Sequence, residues 1–159
     1  MRYYFQNFDK INPNTFCLKV SPEEIKTAYQ KISPTLLAAL KKSKTNIERF
    51  HRHQLPKNWQ KTNGDVTYGI RYSAIEKAGL YVPGGRAIYP STVLMNAIPA
   101  KLAGVQELVM TTPPQPDGSI APSILVAADL CGVRHIIKSG GAQAIFALAY
   151  GTETVPKVD

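Results

Sequence analysis

The 159-residue sequence has no long apolar run. Its longest uncharged stretches, residues 87–100 and 139–152, are interrupted by Pro, Gly, Ser or Asn. A membrane helix needs about 20 mostly apolar residues, so we expect no membrane partner. The first ten residues have no apolar core and predict no signal peptide. The two cysteines, Cys17 and Cys131, are too few for a disulfide framework, and a reducing, cytoplasmic location is the simplest expectation.

The sequence also lacks the standard motifs of nucleotide binding and catalysis. It contains neither G-x-G-x-x-G nor the Walker pattern G-x-x-x-x-G-K-[ST]. No Ser/His/Asp or Cys/His set is brought together by its spacing, and no group of His, Cys, Asp or Glu has a metal-ligand pattern. His51 and His53 end a predicted helix, where they would point about 200° apart and make poor co-ligands. We therefore expect no catalytic residue and no metal ligand in this chain.

The net charge of +8 is unevenly distributed. Residues 1–62 contain 12 Lys/Arg and 4 Asp/Glu, whereas residues 63–159 contain seven of each, so the whole excess lies in the first part. Such an excess is compatible with a nucleic acid or another anionic partner. It is also compatible with a solvated helix face, or with a surface that meets another part of a larger protein. Arg–aromatic interleaving is missing, so we favour the second interpretation and expect no nucleic-acid partner.

Two helices are predicted in this basic part. The sequence Ser21-Pro22-Glu23-Glu24 is a capping box with Pro at the first helical position, so a helix should run from residue 22 to about 32. Ser33-Pro34 ends it and starts a second helix, which should reach about Gln54. Apolar residues recur along one side of this second helix at spacings of three, four and seven, namely Leu36, Leu37, Leu40, Ile47 and Phe50.

A polar break, PKNWQKTNGDV at residues 56–66, predicts a domain boundary. Val66–Arg71 and Ser73–Val82 then have the character of two short strands. The predicted organisation is a basic helical segment at 1–58, a linker with short strands at 59–78, and a third unit at 79–159.

In this third unit, strands alternate with helices. The expected strands are Gly79–Val82, Glu107–Thr111 and Arg134–Lys138. The expected helices are Thr92–Ala103 with Ser91 as its cap, Pro122–Cys131, and one that opens after Gly140-Gly141 and ends at Gly151. Strand–helix alternation at this spacing implies right-handed crossovers and a parallel sheet, so the predicted fold class is α/β.

Three loops should meet beyond the carboxyl ends of these strands, where such sheets bind ligands. They are Pro83-Gly84-Gly85, Thr111-Thr112-Pro113-Pro114 and Ser139-Gly140-Gly141. Two of them place paired glycines before a helix N-terminus, which favours a phosphate-bearing ligand, although the glycines are also what tight turns require. The polar side chains expected nearest this crevice are those of Tyr81, Tyr89 and Gln143. His135 should lie at the opposite end of its strand, in a structural role.

Long segments of the chain resemble one enzyme family. Residues 79–105, GLYVPGGRAIYPSTVLMNAIPAKLAGV, together with LVMTTPP and GGAQAIFALAYGTETVPKVD, closely resemble histidinol dehydrogenase, and the similarity covers almost the whole chain. The resemblance implies NAD- and zinc-dependent oxidation of L-histidinol to L-histidine through the aldehyde, in histidine biosynthesis. It also implies a cytoplasmic homodimer and an incomplete Rossmann-like sheet. The family's NAD-contacting tyrosine and glutamine fall on Tyr81 and Gln143.

The resemblance also implies that much of the family's chemistry lies outside these residues. A GPGN loop with a third NAD contact would begin just past Asp159, and the zinc ligands, the proton-transferring Glu-His pair and the substrate-binding residues lie further on. We therefore expect part of an NAD site here and no turnover by this chain alone. Two alternatives remain: a stand-alone nucleotide-binding module without catalysis, and a basic nucleic-acid-binding protein.

Overall fold

The computed structural model describes residues 16–84 and 88–159, so Gly85 of the first glycine loop lies outside the described residues. In chain order the described elements are α1 (Pro22–Lys31), α2 (Pro34–Arg52), β1 (Trp59–Asn63), β2 (Val66–Ile70), β3 (Lys77–Tyr81), α3 (Pro90–Leu102), β4 (Glu107–Thr112), α4 (Pro122–Leu130), β5 (His135–Lys138) and α5 (Gly141–Tyr150). None of these helices combines the length and the apolar character needed to cross a bilayer.

Strands β3, β4 and β5 form a parallel sheet with β4 in the centre. The register places Tyr81 beside Thr111 and Thr111 beside Ile137. Residues 18–20 run antiparallel along the outer edge of β5, where the Lys138 N–H donates to the Leu18 carbonyl at 2.8 Å. The predicted α/β fold class with a parallel sheet and βα units is confirmed.

The two faces of the sheet are covered by different helices. Alternate residues of a strand point to opposite faces. Met110 therefore packs in a large core beneath α1 to α4, whereas Val109 packs with Ala147 and Leu148 of α5 in a smaller core. Ala28 of α1 and Leu40 of α2 are buried in the large core. The basic helices thus pack against the βα unit through a shared apolar interior; the predicted division into domains remains a prediction.

The predicted helix starts are correct at the two N-terminal helices and wrong at α3. The Ser21 hydroxyl accepts from the Glu24 N–H, and Glu24 accepts from the Ser21 N–H, as the capping box requires. The α3 helix begins at Pro90 after Tyr89, and Ser91 is not its cap. The reason is that Pro90, with its fixed φ and missing N–H, occupies the first helical position more favourably than Thr92.

The polar stretch at residues 56–66 contains a strand whose position was not predicted. Trp59–Asn63 is a strand that pairs antiparallel with β2, and Gly64 turns the hairpin with a φ of +60°. All ten residues of the two strands are exposed, so no buried face leaves a hydrophobic alternation in the sequence. The second predicted strand, Ser73–Val82, is shorter than expected, since β3 begins only at Lys77.

Candidate functional site

Two of the three predicted loops close around the third. Pro113, which follows β4, lies between Gly84 of the first loop and Gly140 of the last. A Cβ atom at Gly84 would stand 2.9 Å from the Pro113 carbonyl oxygen, and one at Gly140 would collide with the Pro113 ring. The glycines are therefore required for close approach, and the loops meet at the carboxyl edge of the sheet as the parallel topology predicts.

The two candidate cofactor residues, Tyr81 and Gln143, converge on the first residue of α5. The Gly141 N–H donates to the Tyr81 hydroxyl oxygen at 3.1 Å. Gly141 has a φ of +69°, and a Cβ atom there would lie 2.7 Å from Gln143 Oε1. The Gln143 amide is thus folded back over the Gly141 backbone, so both side chains lie at one helix N-terminus although 62 positions separate them in the chain.

Both side chains remain accessible to a ligand. Tyr81 is 37% exposed and Gln143 is half-buried. Tyr81 accepts the hydrogen bond from Gly141, so its own hydroxyl proton is still available for donation. The Gln143 amide has both a donor and an acceptor. The arrangement offers neutral hydrogen-bonding groups beside a helix N-terminus, where partial positive charge favours an anionic ligand.

Two hydroxyls near this edge are buried without a partner. Thr111 Oγ1 and Ser139 Oγ belong to residues with 0% exposure, and neither has a hydrogen-bond partner among the described residues. Thr111 neighbours Tyr81 in the register, and Ser139 precedes Gly140-Gly141. A buried hydroxyl without a partner is costly. The sequence shows polar residues ending apolar strands at both positions, but it gives no sign that their hydroxyls stay unpaired.

Sequence reasoning missed a partly buried ion pair near the carboxyl ends of the strands. Lys138, at the end of β5, is 5% exposed, and its Nζ lies 2.6 Å from Glu24 Oε1 in α1. The two residues are 114 positions apart, so no local pattern connects them. The one available signal is a lysine that ends the apolar strand HIIK, a position where an unpaired charge would be unfavourable.

The remaining candidates lie elsewhere. Tyr89 is half exposed at the start of α3, and no hydrogen bond joins its side chain to Tyr81 or Gln143 within the described chain. His135 is the first residue of β5 and therefore lies at the amino ends of the strands, away from the candidate site. Its Nε2 atom is 3.6 Å from the Glu107 carboxylate, which fits the structural role expected for it. In residues 16–84 and 88–159, no group of three His, Cys, Asp or Glu side chains is arranged to hold a metal ion.

The fold and the loops at the carboxyl ends of its strands define the class of protein. This is an α/β protein with a parallel sheet whose glycine loops close around the strand ends, the class in which ligands bind at that edge. The family model for histidinol dehydrogenase matches residues 1–159. The chain belongs to the histidinol dehydrogenase family.

Individual relatives agree with this assignment. The chain is 54% identical to the histidinol dehydrogenase of Thermosynechococcus vestitus over 157 residues, which are 98% of this chain and 36% of that protein. It is 48% identical to the histidinol dehydrogenase of Methanocaldococcus jannaschii over 161 residues. The crystal structure of histidinol dehydrogenase from Elizabethkingia anophelis matches with a TM-score of 0.92 at 40% identity, covering 99% of this chain and 36% of that one. The chain thus spans little more than a third of the length of the relatives it matches.

Proposed function

We propose that this chain supplies part of the NAD site of a histidinol dehydrogenase, the enzyme that oxidises L-histidinol to L-histidine through the aldehyde in histidine biosynthesis. The observation that supports the proposal is the convergence of Tyr81 and Gln143 on the N-terminus of α5. Membership of the family supports the reaction, the substrate and the pathway. A cytoplasmic homodimer is part of the same proposal and rests on the family alone.

The described residues fit a dinucleotide at this edge. Gly84 and Gly140 let the loops close around Pro113, and Gly141 leaves room for the Gln143 amide, so the glycines shape the rim of the proposed site. In the proposed complex, the Tyr81 hydroxyl donates a hydrogen bond to the cofactor, and the Gln143 amide forms a second hydrogen bond to the cofactor. The N-terminus of α5 favours the negatively charged diphosphate. NAD, when bound, supplies the hydride acceptor of the reaction; the residues of this chain hold and orient it.

Zinc has no comparable place in the described residues. No group of candidate ligands occurs in residues 16–84 and 88–159, so we assign no metal ligand and no proton-transfer step to them. The proposal is therefore that the chain binds cofactor without turning over substrate by itself.

The test is a titration of the 159-residue chain with NAD, followed by isothermal calorimetry and by the ¹H–¹⁵N spectrum. We expect weak binding, with Kd about 1 mM, and shifts concentrated at Tyr81, Gly141 and Gln143. Tyr81→Phe should weaken this binding, because it keeps the ring but removes both the proposed donor and the acceptor of the Gly141 N–H. Shifts confined to other surfaces, or no shift at 10-fold higher NAD (about 10 mM), would contradict the proposal.

A binding module without chemistry is the second candidate, because the same convergence of side chains would serve it equally well. The calorimetric titration separates the two, because an independent module should bind NAD much more tightly than the Kd of about 1 mM expected for part of a site. Adding L-histidinol and zinc to the NAD-saturated chain and following NADH absorbance then tests for turnover. We expect no NADH from this chain alone. Sustained NADH formation would show that the described residues are catalytically sufficient, contrary to our proposal.

A further inference from the structure

The Lys138 side chain is a buried cation at the carboxyl end of β5. Its side chain is 7% exposed, its Nζ lies 2.6 Å from Glu24 Oε1, and the same atom lies 5.7 Å from the centre of the Phe16 ring. A buried ammonium group is unfavourable unless it is paired and hydrogen-bonded. The position of the Lys138 side chain is therefore tied to the position of the Glu24 carboxylate.

The Glu24 carboxylate is itself held in place by the capping box of α1. Glu24 Oε2 accepts from the Ser21 N–H at 2.9 Å, and the backbone N–H of Glu24 donates to the Ser21 hydroxyl at 3.2 Å. One carboxylate oxygen thus fixes the start of α1 and the other binds Lys138. The ion pair connects the N-terminus of the first described helix directly to the end of the last strand.

The end of β5 leads at once into the candidate site. Lys138 precedes Gly141 by three residues, with buried Ser139 and Gly140 between them. The Lys138 N–H donates to the Leu18 carbonyl at 2.8 Å, so both its backbone and its side chain are anchored. The Gly141 N–H that donates to the Tyr81 hydroxyl lies at the end of this short turn.

We propose that Glu24 and Lys138 are a positioning pair for the cofactor site: their ion pair fixes the turn at Ser139-Gly140-Gly141 and so aims the Gly141 N–H and the Gln143 amide. Neither residue is a catalytic residue, since both act through the turn. The inference rests on the proposed function, namely that Tyr81 and Gln143 hold NAD.

The test uses Lys138→Met, Glu24→Gln and the double variant in the ¹⁵N-labelled chain. Lys138→Met keeps the length of the apolar stem and leaves a Glu24 carboxylate that is 33% exposed, so water can solvate it. We expect the Gly141 amide to exchange with solvent about tenfold faster, and NAD to bind about fivefold more weakly. Because the two residues act as one unit, the double variant should bind NAD no more weakly than the poorer single variant.

The matched control is Lys77→Met, which breaks the 3.1 Å ion pair with Glu107 at the amino ends of the strands. It should leave exchange at Gly141 and the NAD affinity unchanged. A Lys138→Met chain that loses thermal stability but retains normal Gly141 exchange would overturn the inference, because the pair would then be structural only. If the unaltered chain does not bind NAD, the proposed function fails, and exchange at Gly141 alone decides whether the pair positions the turn.

Discussion

At the scale of single residues, the candidate site depends on the backbone of Gly141. Its N–H holds the Tyr81 hydroxyl, its φ of +69° lies in the left-handed region, and its missing Cβ leaves room for the Gln143 amide. A side chain at this position would meet two separate obstacles. The first is the strain of a positive φ, which costs about 1 kcal/mol in any L-residue. The second is the clash with Gln143.

Gly132 allows these two costs to be separated. It has a φ of +70° but no atom within 4 Å of a Cβ built upon it. Gly132→Ala and Gly141→Ala should therefore both lower the free energy of unfolding by about 1 kcal/mol, measured by urea denaturation. Only Gly141→Ala should also weaken NAD binding, by about tenfold or more, because it displaces Gln143. Equal NAD affinity in the two variants would show that the Gln143 position does not matter for binding.

The meeting of these residues could be predicted only in outline. The strand–helix rhythm predicts that three loops share one edge of a parallel sheet, and Gly84, Pro113 and Gly140 do meet there. The hydrogen bond between Gly141 and Tyr81 spans 60 positions and depends on the register of β3 beside β4. Local patterns contain no information on register across a crossover, so this contact needed the structure.

At the scale of secondary-structure elements, a helix start was predicted correctly where the capping side chain and the proline indicate the same first position. The capping box at Ser21 combines a hydroxyl cap, a proline and a returning glutamate, and all three occur in α1. At α3 the serine and the proline compete. Pro90 comes first and takes the initial helical position, so Ser91 lies within the first turn and Tyr89 provides no side-chain cap.

This difference predicts unequal effects of two similar substitutions. Ser21→Ala removes the acceptor for the Glu24 N–H and should lower the free energy of unfolding by about 1 kcal/mol. Ser91→Ala changes an exposed serine within the first turn, and we expect an effect within about 0.5 kcal/mol. Thermal unfolding followed by circular dichroism measures both. A larger loss of unfolding free energy in Ser91→Ala than in Ser21→Ala would show that Ser91 caps α3.

Strand β2 lies where the strand Val66–Arg71 was predicted, but its hairpin partner β1 was missed. Strands are recognised by the alternation of buried and exposed residues, and every residue of these two strands is exposed. The signal that could have found the hairpin is its turn. Because Asn63 pairs with Val66, the turn consists of Gly64 and Asp65, and a Gly-Asp pair between two β-prone segments favours a two-residue hairpin.

At the scale of the whole molecule, the basic helices and the βα unit are joined by both apolar and polar contacts. Ala28 and Leu40 enter the core of the sheet unit, and Glu24 reaches Lys138. A further link joins α1 to α4, where the Tyr29 hydroxyl donates to Asp129 Oδ2 at 2.7 Å. The strength of this last link should depend on pH, since one partner is a phenol.

Burial, followed by the hydrogen bond to Asp129 and its negative charge, raises the pKa of Tyr29 from 10.0 to about 12. A raised pKa means that the folded chain keeps the phenol proton at a pH where the unfolded chain releases it. The stabilisation is therefore complete below pH 10 and is lost as the pH rises from about 10 to about 12.

Tyr29→Phe cannot ionise, so its free energy of unfolding should fall less over this window than that of the unaltered chain. Asp129→Asn should keep part of the steeper fall, because burial is the largest cause of the shift. Urea denaturation at a series of alkaline pH values measures these slopes, and identical slopes in the unaltered chain and in Tyr29→Phe would show that the link between α1 and α4 is not coupled to the phenol proton.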